Sequence, residues 1–600
     1  MLLVIGFPSC HWCHVLERES FSDPEVNQML DENFICVHVD REQRPDVDAV
    51  YMAACQAATG GGGWPLIALL NAAQQPFYVS TYISKPEMLS LLRETLEQWS
   101  KNRDRLSNIG TRFIRAIQKQ FAASLPPVEI EPRHIDQAMN AYTSVFDPEW
   151  GGVGRSTKFP MPHTLLFLLR QYAFARDVKA LHMAELTLTR MCEGALFDHV
   201  GGGFMRYSTD RKWATPHYEK MLNDNAALID TYIEAWQITG KSIYRNVAER
   251  SLAYVTREMT SPEGGFYSSQ DADTMGVEGA YYRLGADEIL SLLGKEDGEA
   301  YTYYYSLMSG LPNRIGHHGG IETQRMSALN KAVYTYRKNR MPLPTDEKIL
   351  ASWNAMMIQS FVHAYLAFDE KKYLDTAINA AAFLLKNMKR SDGTLAVHWI
   401  NGEAHGAGTL DEYANTILAF LSLYRATLGD EWLSQAVELA RIKLEQFEDH
   451  KNGGFFMTSG KAESLIARPK ETYDGAHPSG NAAALSVLAA LSMLDIGEGW
   501  SRAAERQMAF LSGFLSEDPL HHMASLLAAT PFLYPVTMLD AQADPEENEK
   551  LLRALRGQYT PLLYMKAAPK GMHGNNWRLC KGATCLKPFQ EVEAVLSALS

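Results

Sequence analysis

The pattern of hydrophobic and polar positions changes character twice along the chain. Over residues 1–121, short apolar runs of the kind found in buried strands alternate with stretches of helical periodicity. The runs at 1–7, 33–40, 66–70 and 76–79 predict four strands, and the pattern at 85–121 predicts one long helix. Strands and helices in this order predict an α/β layer fold for the first part of the chain.

From residue 133 to residue 530 the apolar positions recur with helical spacing in twelve segments, which predicts six helical hairpins. Every second connection carries glycine, at 151–152, 201–203, 264–265, 393 and 453–454. These glycines recur every 50 to 62 residues once 280–345 is set aside as an insertion, and regular periods indicate stacked supersecondary units. Six hairpins closed into a ring would form an (α/α)6 toroid whose mouth is surrounded by the glycine loops. An open helical solenoid is the alternative.

Two further segments complete the organisation. Residues 122–132 are rich in proline and alanine and predict a linker, whereas 531–600 predict a small α/β segment with two strands around a helix. Six hundred residues exceed what one hydrophobic core supports, so a multidomain protein is expected. Cys580 and Cys585 in the last segment suit a turn with unrelated thiols, and a second redox or metal pair is the alternative.

The motif Cys10-His11-Trp12-Cys13-His14 follows the first strand and begins a helical stretch. At spacing i, i+3 both sulfurs lie near one face of the first turn, a geometry typical of a redox dithiol. The helix dipole favours a thiolate at Cys10, and Cys13 would be the less exposed resolving thiol. Pro65, directly before the third strand, suits the cis-proline that faces the dithiol in thioredoxin-like folds; an ordinary edge-strand proline is the alternative.

Three other interpretations of this motif compete. A c-type haem attachment site has the same pattern but requires export, and residues 1–9 lack the regions of a signal peptide. A zinc site needs two more ligands, and Cys36 and Cys55 show no paired spacing. The two cysteines could also be buried without a reaction to perform. We favour the redox dithiol, with no cofactor and no metal.

The composition of the chain limits the classes of partner and the compartment that we expect. The net charge of −13 and the lack of a Lys/Arg run argue against nucleic acid and against an anionic membrane surface. No apolar stretch approaches the roughly 18 residues of a transmembrane helix. Seven cysteines are few and odd in number for a secreted disulfide scaffold, so we expect a reducing compartment and a cytoplasmic protein.

The glycine loops concentrate polar and aromatic residues. Carboxylates and aromatic rings in a concave site suit a sugar-like ligand; paired carboxylates could act on a glycosidic bond, and paired histidines could move a proton beside a carbonyl. The structural alternative is that Asp411 caps a helix and that Arg206 pairs with Glu219. The candidate ligand-binding residues are His199, Arg206, Trp213, His217, Glu219, Asp271, Asp273, Trp353, Asn354, Asp411, Tyr413 and Asn481, with Asp224 and His477 in the same loops.

Nine short motifs, in order along nearly the whole chain, resemble the spermatogenesis-associated protein 20-like family of thioredoxin-domain proteins. They are CHWCH at 10–14, VDREQRPD at 39–46, GGWP at 62–65, KFP at 158–160, DHVGGGF at 198–204, HYEKML at 217–222, QDAD at 270–273, SWN at 352–354 and PSGN at 478–481. The resemblance implies a thioredoxin-like domain joined to a toroid similar to those of six-hairpin glycosidases and N-acylglucosamine 2-epimerases. Relatives carry several dozen residues before the dithiol strand, so we expect either that the start of this sequence is misassigned or that the first domain lacks a sheet edge.

The functional expectation is a thiol–disulfide oxidoreductase whose toroid binds a sugar-like molecule. Cys10 would be the nucleophile and Cys13 the resolving thiol, with Trp12 and Pro65 shaping the site. A sugar epimerase or glycosidase with a regulatory dithiol is one alternative. A non-catalytic binding protein that uses the dithiol to dock a thiol partner is the other.

Overall fold

The computed structural model describes residues 1–307, 323–494, 496–497, 499–568, 576–582 and 584–599. Part of the predicted insertion, at 308–322, lies outside these described residues. The first part of the chain contains β1 (Leu2–Gly6), α1 (His11–Leu16), α2 (Pro24–Asn33), β2 (Cys36–Asp40), α3 (Pro45–Thr59), β3 (Leu66–Leu70), β4 (Pro76–Ser80), α4 (Lys85–Lys101) and α5 (Arg103–Phe121). A π-helical turn, Glu17–Phe21, continues α1.

These elements form a four-stranded sheet covered by helices on both faces. The strand order is β2-β1-β3-β4, with β1 parallel to β2 and antiparallel to β3. Along β1, Leu3 and Ile5 pack towards α3 and α5, whereas Leu2 packs towards α2 and α4. The α/β layer prediction is confirmed, and β2 forms an outer edge on which Val37 is 36% exposed.

The single helix predicted at 85–121 is wrong. Asn102 has an extended φ of −139° and separates α4 from α5. The physical reason is that the sheet has two apolar faces: α4 covers one with Met88 and Leu92, and α5 covers the other with Ile114 and Ile117. One straight helix could not cover both faces.

The central part is a closed ring of helices. It contains α6 (Pro132–Val145), α7 (Pro162–Ala175), α8 (Val178–Glu193), α9 (Leu222–Thr239), α10 (Ser242–Tyr254), α11 (Ala286–Leu293), α12 (Lys295–Tyr304), α13 (Thr323–Arg340), α14 (Ala351–Phe368), α15 (Lys371–Phe383), α16 (Leu410–Thr427), α17 (Asp430–Phe447), α18 (Gly480–Leu494), α19 (Trp500–Glu517) and α20 (Met523–Leu533). The helices α7, α9, α14, α16, α18 and α20 each contact the next, and α20 contacts α7. The inner ring therefore closes, which confirms the toroid and excludes the open solenoid.

The glycine loops all precede the inner helices, so they lie at one end of the toroid, which we call the mouth. Short strand pairs decorate this end: β5 (Tyr207–Ser208), β6 (Pro216–His217), β7 (Lys220–Met221), β8 (Ser269–Gln270), β9 (Asp273–Thr274), β10 (Val277–Glu278), β11 (Thr345–Asp346), β12 (Ile349–Leu350), β13 (His398–Ile400) and β14 (Glu403–His405). The predicted insertion supplies α11, α12 and α13 between α10 and α14.

An asparagine in the first turn of an inner helix holds the preceding glycine loop. Asn354 Oδ1 accepts a hydrogen bond from the Phe266 backbone N–H at 2.7 Å, and its Nδ2 donates to the carbonyls of Phe266 and Leu350 at 2.9 Å. The same pair of bonds joins Asn225 to Phe204 and Asn481 to Phe455. Each of these asparagine clamps binds the backbone N–H and C=O of the phenylalanine that follows a Gly-Gly pair.

A buried lysine strengthens the same loops. Lys220 Nζ donates to Asp198 Oδ2 and to the Gly202 carbonyl, each at 2.8 Å. The equivalent pairs elsewhere in the ring are Lys158 with Asp147 and Lys470 with Asp449. Asp198 also accepts two hydrogen bonds from Arg337 of α13, at 3.0 and 2.7 Å, which ties the insertion to the mouth.

The last part of the chain is a small α/β unit, as predicted. It contains β15 (Thr537–Ala541), α21 (Pro545–Leu555), β16 (Leu563–Ala567), β17 (Trp577–Lys581), β18 (Thr584–Cys585) and α22 (Val592–Leu599). The strand order is β16-β15-β17-β18. Cys580 and Cys585 form a disulfide between β17 and β18, so the interpretation as unrelated thiols is wrong.

The limits of the domains remain a prediction. Residues 122–131 contain no helix or strand, and the cores on either side are separate apolar clusters. Among the described helices, none combines the length and the apolar character needed to span a bilayer.

Candidate functional site

Cys10 and Cys13 form a disulfide at the start of α1. Cys10 is the N-cap, and its Sγ accepts a hydrogen bond from the Cys13 backbone N–H at 3.2 Å. The Trp64–Pro65 bond that leads into β3 is cis, as the sequence predicted. Trp12 remains 45% exposed beside the ring of Tyr82.

The relative exposure of the two cysteines is the reverse of the prediction. Cys10 is 5% exposed, whereas Cys13 is half-buried. The toroid causes this difference, because Phe7 and Cys10 pack with Met221 of β7 in one apolar cluster. The Ala272 backbone N–H reaches the Ser9 carbonyl at 3.5 Å. The dithiol therefore lies against the mouth of the toroid, which spacing along the chain could not show.

The histidines of the dithiol motif bind the acidic loop of the mouth. His11 Nδ1 lies 2.6 Å from Asp273 Oδ1, and His14 Nε2 lies 3.1 Å from Asp271 Oδ2. Arg18 Nη1 donates to Asp273 Oδ2 at 3.0 Å. The two carboxylates that we predicted to bind a sugar thus contact the dithiol helix and join the two parts of the chain.

These contacts perturb the histidines. The hydrogen bond to Asp273 raises the pKa of His11, and the hydrogen bond to Asp271 raises the pKa of His14, both against the opposing effect of burial. A histidine whose pKa is raised in the folded protein stabilises the fold. This stabilisation is fully present below a pH of about 6.5, the usual pKa of histidine. That contribution is lost as the pH rises through the raised value.

The attachment of α1 to the mouth is therefore expected to weaken as the pH increases from about 6 to 9. Hydrogen exchange of peptides from residues 9–18, corrected for the intrinsic rate, would measure it. A variant with His11→Gln and His14→Gln is expected to lose the pH dependence. Equal protection across this range in the unmodified protein would contradict the assignment.

A second group of charges lies beside the dithiol. His217 Nδ1 is 2.7 Å from Glu278 Oε1, and its ring stacks on Tyr207 with centroids 4.9 Å apart. Arg206 Nη1 is 2.9 Å from Glu219 Oε1, so the ion-pair alternative for these residues holds. The Arg206–Glu219 pair is nonetheless part of the contact between the toroid and the dithiol segment, because the Arg206 guanidinium lies 5.3 Å from the centroid of the Phe7 ring.

Deeper in the mouth, four polar residues leave atoms without partners. His477 Nε2 lies 3.0 Å from Asn223 Nδ2 and 3.1 Å from Asp224 Oδ1. Among the residues that the structure describes, no hydrogen bond reaches either ring nitrogen of His163, Asn223 Oδ1, Asp224 Oδ2 or His477 Nδ1. Burial lowers the pKa of His163 to about 3, which keeps this ring neutral. Buried polar atoms are nearly always paired, so their concentration here indicates a place for a polar ligand or water.

We call the four polar residues above the recess. Two further mouth carboxylates, Asp411 and Glu471, interact with each other. Burial, together with the nearby charges of Glu412 and Glu471, raises the pKa of Asp411 to about 7. Burial likewise raises the pKa of Glu471 to about 7, with a contribution from Asp48. The Glu471 side chain keeps exposed surface, although the surrounding protein withdraws it from bulk water.

Several predicted ligand residues lie elsewhere. Trp213 has no exposed surface and donates from Nε1 to the Trp150 carbonyl at 2.9 Å. His199 is buried with Nε2 3.0 Å from the Gly194 carbonyl, and the Tyr413 hydroxyl accepts from the Leu395 N–H. Asn354 and Asn481 are asparagine clamps. The structure thus gives these five residues packing and loop-holding contacts, and we leave them out of the proposed site.

Trp353 does lie at the site, where it packs partly buried beside Phe7 and Cys10. His163, Asn223 and Glu471 were missed by the sequence reasoning. His163 and Asn223 stand at the second position of an inner helix, α7 and α9. A rule that includes the first turn of each inner helix with the preceding glycine loop would have found them.

The comparisons with known proteins cover both parts. Residues 1–118 match the family Thioredox_DsbH, described as a protein of unknown function, DUF255. A solved structure of D-mannose isomerase is 13% identical with a TM-score of 0.45, over 63% of this chain and 84% of the isomerase. Spermatogenesis-associated protein 20 of Mus musculus is 31% identical, and that of Homo sapiens is 30% identical. Each alignment covers 94% of this chain and 80% of the relative. The chain therefore belongs to the spermatogenesis-associated protein 20 family.

Proposed function

We propose that this protein is a thiol–disulfide oxidoreductase that acts on a small, sugar-like molecule held between the dithiol and the recess. One observation carries the proposal: Cys10 packs against Met221 at the mouth, next to Glu219 and Arg206. Redox chemistry and polar recognition thereby meet in one place. Pockets at domain interfaces with a few convergent polar groups are common ligand sites.

The covering of Cys10 argues for a small substrate. Three charged contacts, from His11, His14 and Arg18, hold the dithiol helix on the toroid. A protein substrate would need to lay an extended segment against the dithiol, and Met221 already occupies that side of Cys10. A small molecule requires no separation of the two parts.

The reaction is an exchange in which bonds and electrons balance. In the reduced protein, the Cys10 thiolate attacks one sulfur of a small disulfide, and the other sulfur leaves as a thiolate that takes a proton from solvent. The Cys13 thiolate then attacks Cys10, which releases the second thiol and forms the Cys10–Cys13 disulfide. Two electrons pass from the protein to the substrate, and small thiols return the pair to the dithiol in the reverse exchange. We place the protein in the cytoplasm, where reducing conditions suit this cycle.

Trapping a mixed disulfide tests the proposal. The variant Cys13→Ser, in a background with Cys580→Ala, Cys585→Ala and Cys36→Ala to remove the exposed free thiol, is expected to form a mixed disulfide through Cys10 with the disulfide of thioglucose. The expected rate exceeds that with hydroxyethyl disulfide by at least about tenfold, since one charge-assisted hydrogen bond contributes about 1.5–3 kcal/mol. Intact mass spectrometry measures both rates. Equal rates with the two disulfides would contradict the proposal of a sugar-like ligand. The absence of any adduct would contradict the redox assignment of Cys10.

The unpaired atoms of the recess favour a second candidate function. His477, with Nε2 3.1 Å from Asp224 Oδ1, could move a proton on a bound sugar, as an epimerase or isomerase requires, and the neutral His163 could hold that sugar by a hydrogen bond. The dithiol would then be regulatory. A Cys10→Ser, Cys13→Ser double variant separates the two: turnover of a reducing sugar that survives in this variant supports the second candidate.

A further inference from the structure

A cavity of about 260 Å³ lies at the end of the toroid opposite the mouth. Its walls are the C-terminal halves of α16, α18 and α20, together with residues 561–565 of the last α/β unit. It is therefore remote from the dithiol and lies at an interface between two parts of the chain. None of the proposed chemistry at the mouth uses it.

The charge around this cavity is not balanced. Arg170 is neutralised by Glu234, with two hydrogen bonds of 2.9 and 3.1 Å, and Tyr559 donates to the same carboxylate. Arg425 donates from Nη2 to the backbone and side-chain oxygens of Thr560, at 2.7 and 3.0 Å. No carboxylate of the described residues forms an ion pair with Arg425, so one positive charge at the cavity wall remains without a counter-charge.

Two of the residues that line this cavity have unused donors. Among the residues that the structure describes, no hydrogen bond is formed by Arg425 Nε, by Arg425 Nη1 or by the hydroxyl of Tyr564. Both side chains line the cavity. Burial lowers the pKa of Arg425 and raises that of Tyr564 to about 12, so Tyr564 keeps its proton at neutral pH. Arg425 is half-buried, and a guanidinium partly withdrawn from water is stabilised when an acceptor meets its free N–H groups.

We infer that this cavity binds a small organic carboxylate with an apolar body. The guanidinium of Arg425 suits the two oxygens of a carboxylate, and Tyr564 offers one more donor. The opposite walls are apolar and include Leu418, Leu494 and Leu527. An apolar cavity of about 150 Å³ holds benzene, so about 260 Å³ has room for a ring with a short carboxylate arm.

Calorimetry on the full chain with phenylacetate tests this site. Phenylacetate is expected to bind at one site per chain, and Arg425→Gln is expected to weaken it by about tenfold to a hundredfold. The uncharged analogue 2-phenylethanol is expected to bind the unmodified protein and the Arg425→Gln protein equally. The control is Arg441→Gln, which changes an exposed arginine on α17 and is expected to leave both affinities unchanged.

Two further variants keep the test decisive if Arg425→Gln unfolds. Arg425→Lys keeps the charge and is expected to retain part of the affinity, whereas Ala490→Phe fills the cavity and is expected to abolish binding of both probes. Melting curves confirm that each variant is folded. The inference is overturned if phenylacetate does not bind, if Arg425→Gln binds it as well as the unmodified protein, or if inorganic phosphate competes with equal affinity.

Discussion

Asp198→Asn is expected to lower the free energy of unfolding by about 3–5 kcal/mol, because it removes the charge that neutralises two buried cations. Lys220 and Arg337 both donate to Asp198 Oδ2, at 2.8 and 2.7 Å, and each is nearly inaccessible to solvent. These cations hold the pKa of Asp198 well below its ordinary value, even though burial opposes them. The nearby Glu258 cannot replace it, since Arg257 already holds that carboxylate at 2.6 Å.

Urea unfolding followed by circular dichroism would measure this loss as a lower midpoint with an unchanged slope. The matched control is Asp375→Asn, which breaks the exposed pair between Asp375 and Lys371 and is expected to cost less than about 1 kcal/mol. A midpoint for Asp198→Asn that matches the control would mean that the buried cations find another partner.

Much of the fold could be predicted from the sequence because its repeats are local. Each Gly-Gly-Phe loop and the asparagine of the next inner helix lie within one repeat, except where the insertion separates Phe266 from Asn354. Hydrophobic periodicity then fixes which helices are inner, since α14 and α18 are apolar nearly all round. The count of six hairpins favoured a closed ring, and the contact between α7 and α20 decided against the open solenoid.

The arrangement of the site could not be predicted in the same way. His11 and Asp273 are 262 residues apart, and the sequence carries no sign that one will bind the other. Residue type alone also misled us at Trp213, where an aromatic ring expected to hold a ligand fills the core over Lys158. Polar and aromatic side chains in a mouth loop can stabilise the loop's own backbone or bind a ligand. Residue type alone therefore does not distinguish the two roles.

The largest functional effect is expected from Asp273→Asn, which should open the dithiol to large reagents. Asp273 joins both His11 and Arg18 to the mouth, and it is 5% exposed. Removing its charge replaces two ion pairs with weaker hydrogen bonds to an uncharged amide. A loss of about 1.5–3 kcal/mol raises the equilibrium constant for separation of α1 from the toroid by about 10- to 100-fold.

Reduction of the Cys10–Cys13 disulfide by two reagents of different size measures that opening. A protein dithiol reaches Cys10 only in the separated state, so its rate should follow the opening constant and rise by about 10- to 100-fold in Asp273→Asn. Dithiothreitol enters without separation, and its rate should change by less than about threefold. The control is Asp104→Asn on the exposed side of α5, which is expected to alter neither rate.

A double-mutant cycle with His11→Gln assigns the effect to the contact itself. If His11 and Asp273 act through their 2.6 Å contact, the double variant should open little more than Asp273→Asn alone. Additive effects would mean that the two residues act independently. If the protein dithiol reduces the unmodified protein as fast as it reduces an exposed disulfide, Cys10 is not covered in solution, and the case for a small substrate fails with it.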